Sequence, residues 1–153
     1  MMVRDRMVID ELVIDRGLVD AIVRHCAGAL PNEGCGLLSG RLVGATLVAG
    51  RFFPGTNMLA SPSRFAMDPA EVVAALTVID SGGDRLAAIV HSHPATGATP
   101  SRTDLREAYY PGVTLLIVSL ADVVPRIQAW RVVTGDGGDG GVKEVPIRMA
   151  LPR

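Results

Sequence analysis

Apolar residues recur along this chain with two periods, and each period predicts a different kind of element. Alternating or continuous apolar runs of about four to eight residues predict strands, and apolar stripes at helical spacing predict helices. The predicted strands cover residues 8–14, 35–39, 42–49, 86–90, 113–120, 126–133 and 142–147, with a hairpin turn around Gly40. The predicted helices cover residues 17–30, 69–79 and 101–110, and residues 51–63 predict a loop or an irregular edge.

Several residues at the ends of these segments agree with the assignment. Asp15 can cap the first helix, and Asp68 followed by Pro69 is typical of a helix that begins at the proline. The wholly apolar run 86–90 predicts a strand at the centre of the sheet, covered on both faces. Strands and helices mix without a repeat or a linker. The sequence therefore predicts one α/β domain over residues 1–153, with a curved mixed sheet flanked by helices.

Composition narrows the classes of function. The chain has 153 residues, of which 48% are hydrophobic and 20% charged, so it can bury a sizeable core. A net charge of -1 without a Lys/Arg stripe predicts that nucleic acid is not a partner. Acidic residues interrupt the N-terminal segment before it could form a signal peptide, and the apolar run 113–124 contains Asp122 and is too short to cross a membrane.

The two cysteines, Cys26 and Cys35, form no disulfide framework and match no zinc-binding spacing. A buried apolar environment is the expectation for both, and a reduced, cytoplasmic protein follows from it. A catalytic thiol at Cys35 is disfavoured, because the only histidine outside the run described next is His25, beside Cys26. A positive mean hydropathy of +0.32 is compatible with a homodimer.

The run HSHPATGATPSRTD, residues 91–104, carries the chemistry. In a strand, residues two apart point to the same face, so His91 and His93 can bind one ion while Ser92 points away. Asp104 can add a carboxylate oxygen from the helix that begins near Ser101. Two histidines and one carboxylate leave a fourth position open on a tetrahedral zinc ion, which is typical of a hydrolytic site. The alternative is two structural histidines beside an ordinary helix cap.

Glu33 is the candidate general base, since it precedes an apolar strand that could pair beside the histidine strand. Such a base would accept a proton from a water molecule whose pKa the metal lowers to about 7. Ser101 could donate a hydrogen bond to the carbonyl oxygen as negative charge develops there. Substrate-binding candidates lie in the segment 57–65: Asn57, Arg64 and Phe65. From the residues alone, a solvated turn residue is the favoured interpretation of Glu33.

At these residues the chain resembles the JAMM (MPN-plus) zinc metallopeptidases, and in particular their compact bacterial branch. The resemblance rests on Glu33, the H-S-H-P motif, the S-x-x-D motif at Ser101, and the segments EGCGLLSG and NMLASPSRFAMDPAE. It implies one Zn²⁺ bound by His91, His93 and Asp104, with Glu33 as acid/base and Ser101 aiding the oxyanion. It also implies a cytidine-deaminase-like architecture.

The implied activity is hydrolysis of a peptide or isopeptide bond after the C-terminal Gly-Gly of a ubiquitin-like protein, here a sulfur carrier. Two alternatives stay open: a peptidase of the same family that acts on cell-wall or phage-tail peptides, and a noncatalytic module that binds a ubiquitin-like tail. A zinc nucleobase deaminase is disfavoured, because that chemistry uses H-x-E and P-C-x-x-C motifs, which this chain lacks.

Overall fold

Eight strands of the described residues pair into one mixed sheet, and three helices accompany it. The computed structural model describes residues 9–107, 112–133 and 141–151. The strands are β1 (Glu11–Asp15), β2 (Cys35–Val43), β3 (Thr46–Gly55), β4 (Arg85–His93), β5 (Thr114–Ser119), β6 (Arg126–Val133), β7 (Gly141–Val145) and β8 (Ile147–Ala150). The helices are α1 (Arg16–Ala29), α2 (Pro69–Ser81) and α3 (Arg102–Arg106). The predicted α/β class is confirmed.

The strand order is β7-β6-β5-β4-β2-β3-β1-β8. Strands β7 and β8 lie at opposite ends of this order, yet Pro146 alone separates them along the chain. The sheet must therefore curl until its two edges come close to each other. Pro146 has no N–H for a strand ladder, while its carbonyl oxygen accepts a hydrogen bond from the Leu12 amide at 2.9 Å.

Strand β4 lies at the centre, as its apolar sequence predicted. It pairs antiparallel with β2, where Cys35 faces His91, and parallel with β5, where Ser119 faces His93. The core on either side of it consists of aliphatic side chains from all the inner strands and from α1; its fully buried members include Leu12, Ile14, Ile22, Leu38, Leu47, Val90, Leu116 and Val118. This packing fixes the C-terminal end of β4, where both histidines lie.

The first two helices begin where the sequence predicted. The side chain of Asp15 accepts a hydrogen bond from the Leu18 amide, and Asp68 caps α2 with Pro69 in its first turn. Helix α1 buries Val19, Ile22 and Cys26 against the sheet. Its contact with the start of β2 is so close that a Cβ at Gly34 would lie 2.8 Å from the Cα of Cys26. The absence of a side chain at Gly34 therefore permits this close packing of α1 against the start of β2.

Three predictions about the strands and their connections differ from the fold. The hairpin turn is at Gly44, whose φ of +62° suits glycine, and not around Gly40, which lies inside β2. Residues 51–55 belong to β3 and are not a loop. Pro54 is tolerated there because β1 pairs with only residues 46–48 of β3, so one edge of β3 is free near Pro54. The predicted strand 142–147 is two strands, divided at Pro146.

Helix α3 is shorter than predicted, because it ends at Arg106. The predicted residues 108–110 of that helix lie outside the described residues, as do residues 134–140, between β6 and β7. Among the described residues, no helix is both long enough and apolar enough to span a membrane.

Candidate metal centre

The side chains of His91, His93 and Asp104 converge on one point. Nε2 of His91 lies 3.3 Å from Nε2 of His93, and Oδ2 of Asp104 lies 3.1 Å and 2.9 Å from these two nitrogens. The three residues are 1%, 4% and 8% exposed. They are the only group of three or more histidine, cysteine or acidic side chains among the described residues that could hold a metal ion.

Local sequence rules explain this convergence. His91 and His93 are two residues apart on β4 and therefore share a face, while the hydroxyl of Ser92 points to the other side and accepts a hydrogen bond from the Gly34 amide at 2.8 Å. Ser101 and Asp104 form a capping box at the start of α3: Ser101 Oγ accepts from the Asp104 amide, and Asp104 Oδ2 accepts from the Ser101 amide. The cap orients the carboxylate toward the histidines.

The donor set fits a tetrahedral zinc ion. Zinc bonds of about 2.0–2.1 Å at tetrahedral angles separate neighbouring ligand atoms by about 3.3 Å, and the three contacts of 2.9–3.3 Å lie close to that value. Two imidazole nitrogens and one carboxylate oxygen are ligands that zinc accepts, and three protein ligands leave a position for water or substrate. The residues therefore fit the implied metal.

Electrostatics within the group agree with a cation site. Burial opposes a charge on Asp104, but hydrogen bonds from His91 and His93 outweigh it and hold the pKa of that carboxyl far below its usual range. Burial also favours a neutral His93 ring, but hydrogen bonds to Asp104 and to the Gly97 carbonyl raise its pKa. Both shifts show that positive charge is favourable beside the Asp104 carboxylate, and a bound cation would provide such a charge.

Glu33 is buried beside this group, at 3% exposure, two residues before the start of β2. Its backbone amide donates to the Ser61 carbonyl at 2.9 Å, and its backbone carbonyl accepts from the Asn57 side chain at 3.1 Å. Its carboxylate Oε1 is buried without a hydrogen-bond partner in the described structure. Burial, and secondarily the negative charge of Asp104, raise the pKa of Glu33 to about 7. An unpaired carboxyl that titrates near neutral pH is suited to proton transfer.

The other candidate residues surround the same centre. The Ser101 hydroxyl is exposed; in the cap it acts as an acceptor, so its proton stays free for another bond. Arg64 and Phe65 line an apolar cavity of about 400 Å³ that reaches His91 and Asp104. Asn57 instead bonds to main-chain groups: its amide nitrogen donates to the carbonyls of Glu33 and Arg64, and its amide oxygen accepts from two backbone amides of its own loop.

Two sets of side-chain contacts near the site were not predicted from the sequence. Glu107 accepts a short hydrogen bond from Arg64, which ties the segment after β3 to the end of α3. His25 Nε2 lies 3.0 Å and 3.1 Å from the carbonyl oxygens of Cys35 and Gly55, so it links β2 to β3. Both contacts join residues far apart in sequence, and no local pattern signals them.

Both cysteines are free and buried, as predicted. Burial raises the pKa of the Cys35 thiol to about 12 and that of Cys26 to about 11. Only the thiolate is a strong nucleophile, so neither cysteine is suited to covalent catalysis at neutral pH. The chemistry of the site therefore rests on the histidines and carboxylates.

Comparison with known proteins identifies the family of this chain. A family model described as prokaryotic homologs of the JAB domain matches residues 15–133. A CysO-cysteine peptidase of Mycobacterium tuberculosis is 34% identical over 139 residues, covering 90% of each chain. A desampylase of Haloferax volcanii is 38% identical over 105 residues, covering 65% of this chain and 74% of the relative. A protein of Desulfitobacterium hafniense, solved in solution, aligns with a TM-score of 0.82 and 34% identity over 92% of this chain and 94% of that one. The chain therefore belongs to the family of prokaryotic JAB-domain proteins, which confirms the resemblance that the sequence motif indicated.

Proposed function

We propose that this protein is a zinc-dependent peptidase or isopeptidase that cleaves the bond after the C-terminal Gly-Gly of a ubiquitin-like sulfur-carrier protein. It is a hydrolytic enzyme of the JAB family, and two of its relatives are named as a CysO-cysteine peptidase and a desampylase. The observation that carries the proposal is the convergence of two imidazoles and one carboxylate beside a buried, unpaired Glu33. Since both cysteines are free thiols, we propose the cytoplasm as the compartment.

His91, His93 and Asp104 would hold the zinc ion. When bound there, zinc acts as a Lewis acid on the scissile carbonyl and lowers the pKa of water in the site. Glu33 accepts the proton from the attacking water and transfers it to the departing amine. With a pKa of about 7 in the metal-free site, this carboxyl can both accept and release a proton at neutral pH. The Ser101 hydroxyl donates a hydrogen bond to the carbonyl oxygen as negative charge grows on it.

The surface near the site suits an extended tail. Arg64 and Phe65 border the cavity beside the metal ligands, and Arg64 is more than half exposed, so it can contact the substrate. A Gly-Gly segment has no side chains to obstruct a narrow approach to the metal. An extended tail could add to a sheet edge through main-chain hydrogen bonds, a mode of binding that tolerates sequence variation. Asn57 contributes to this surface by shaping the segment that carries Arg64 and Phe65.

The proposal is tested by incubating the purified, zinc-loaded protein with small ubiquitin-like carriers that end in Gly-Gly and bear either a C-terminal extension or a lysine-linked adduct. Product masses identify the cleaved bond. We expect release after the second glycine, loss of activity with a chelator, and loss of both zinc and activity in His91→Ala. Glu33→Gln should keep its zinc while kcat falls by about 10²- to 10⁴-fold.

Three other outcomes contradict the proposal in whole or in part. Cleavage of cell-wall or phage-tail peptides with no cleavage of the carriers would retain the metal chemistry and reject the substrate. Tight binding of a carrier tail by zinc-loaded protein without any cleavage would identify a noncatalytic binding module. Undiminished turnover by Glu33→Gln would remove Glu33 from the mechanism.

A further inference from the structure

The two metal-binding histidines are held in different ways. Nδ1 of His93 lies 2.7 Å from the Gly97 carbonyl oxygen, a contact that fixes both the tautomer and the orientation of the ring. The corresponding atom of His91, its Nδ1, is buried and has no hydrogen-bond partner in the described structure. A metal-ligating histidine ordinarily donates this N–H to an acceptor, so something else must hold the His91 ring.

The ring of Phe65 occupies the position from which His91 can be held. The two ring centroids are 4.7 Å apart and the planes are inclined by 17°, which is a stacked arrangement. Stacking of this kind restricts rotation of the imidazole about its side-chain bonds, because a turn of the ring would break the face-to-face contact or collide with the phenyl group. His91 is 1% exposed, so it has little free space in which to turn.

Phe65 is itself held by Asn57. The amide oxygen of Asn57 accepts hydrogen bonds from the backbone amides of Leu59 and Ala66, both at 3.1 Å. Its amide nitrogen donates to the Arg64 carbonyl at 3.0 Å and to the Glu33 carbonyl at 3.1 Å. Asn57 therefore fixes the chain on both sides of Phe65 and ties it to the backbone of the candidate base.

We propose that Phe65 is a positioning residue for the metal ligand His91: its stacked ring orients the imidazole in place of the missing hydrogen bond, and Asn57 fixes Phe65 in turn. This inference rests on the proposed metal site. It gives Phe65 and Asn57 a role in metal affinity that is separate from contact with the substrate.

The experiment compares zinc affinity, measured on metal-free protein by competition with a chromophoric chelator. Phe65→Leu removes the flat ring and should weaken zinc binding by about 10- to 100-fold, the range for loss of a group that orients a ligand. Phe65→Tyr keeps the ring and should restore affinity to near the wild-type value. Phe52→Leu is the matched control, because Phe52 contacts His25, which is not a ligand, in an edge-to-face geometry at 5.6 Å. It should leave zinc affinity unchanged.

Several results separate this inference from its alternatives. Unchanged zinc affinity in Phe65→Leu overturns it, and a raised KM in that variant would then assign Phe65 to substrate binding. Failure of the wild-type protein to bind zinc would instead reject the proposed function. If Phe65→Leu does not fold, NMR of wild-type protein still decides: the ring-current field of a stacked phenyl group should move the His91 ring protons upfield, and unshifted resonances would refute the stack.

Discussion

Glu33 gives the sharpest test of the electrostatics, because its charge is unfavourable in the folded, metal-free protein. Its carboxyl is 3% exposed and Oε1 has no hydrogen-bond partner in the described structure. Burial and the nearby charge of Asp104 raise its pKa from 4.5 to about 7. The folded state therefore holds this proton more tightly than the unfolded state does. It follows that the free energy of unfolding falls as the pH rises from about 4.5 through about 7.

The size of the effect follows from the two pKa values. At 1.36 kcal/mol per pKa unit, the difference corresponds to about 3 kcal/mol, most of which develops between pH 5 and pH 8. Glu33→Gln has almost the same shape and does not titrate. The variant should therefore become more stable relative to wild type by about 2 to 3 kcal/mol between these two pH values. A substitution that removes activity would thus stabilise the metal-free protein at alkaline pH.

The measurement is urea unfolding of both proteins at pH 5 and pH 8 with a chelator present, analysed by linear extrapolation. Glu144→Gln, at an exposed position on β7, is the matched control and should change stability little at either pH. If wild type and Glu33→Gln lose or gain stability in parallel between the two pH values, Glu33 is not a buried carboxyl of raised pKa, and its assignment as the base loses its physical support.

The remaining predictions concern Ser101 and Cys35. Ser101→Ala should lower kcat by about 10²- to 10³-fold with little change in KM, because a hydrogen bond to the developing oxyanion is lost. The variant should also lose about 1 kcal/mol of stability, because the α3 cap is lost. Steady-state kinetics and urea unfolding measure these two effects, and a change confined to KM would leave Ser101 with a binding role. Cys35→Ala should keep its zinc and its kcat, because the thiol is buried with a pKa of about 12; inactivity in a folded, zinc-loaded sample would point to a thiol nucleophile instead.

The three candidate metal ligands could be predicted from the sequence because each depends on a local rule. Residues two apart in a strand share a face, which predicted the convergence of His91 and His93. A serine followed three residues later by an acidic residue is a helix-start pattern, which predicted that Ser101 and Asp104 flank the beginning of a helix. Both rules act within a few residues of chain, and tertiary packing did not override them.

Other features depend on contacts between distant segments. The pairing of Cys35 with His91 brings Glu33 to the site. The sequence predicted only that the two strands could pair, and the family resemblance was needed to favour Glu33 as the base. The stack of Phe65 on His91 joins residues 26 positions apart and follows no periodic pattern. The division of the last predicted strand at Pro146 reflects the closure of the sheet, since the two halves pair with strands at opposite ends of it.

Asp104 shows why a short motif can predict part of the geometry of the candidate metal site. One oxygen of its carboxylate, Oδ2, accepts from the Ser101 amide at 2.8 Å and also lies within 3.1 Å of both histidine nitrogens. Helix α3 has only five residues and would not persist alone, so this cap and the tie to β4 are what stabilise it. The carboxylate oxygen that accepts from the Ser101 amide at the start of α3 is thus also the oxygen that we propose binds the metal. The position of the ligand follows from the start of the helix, and a four-residue pattern is sufficient to specify both.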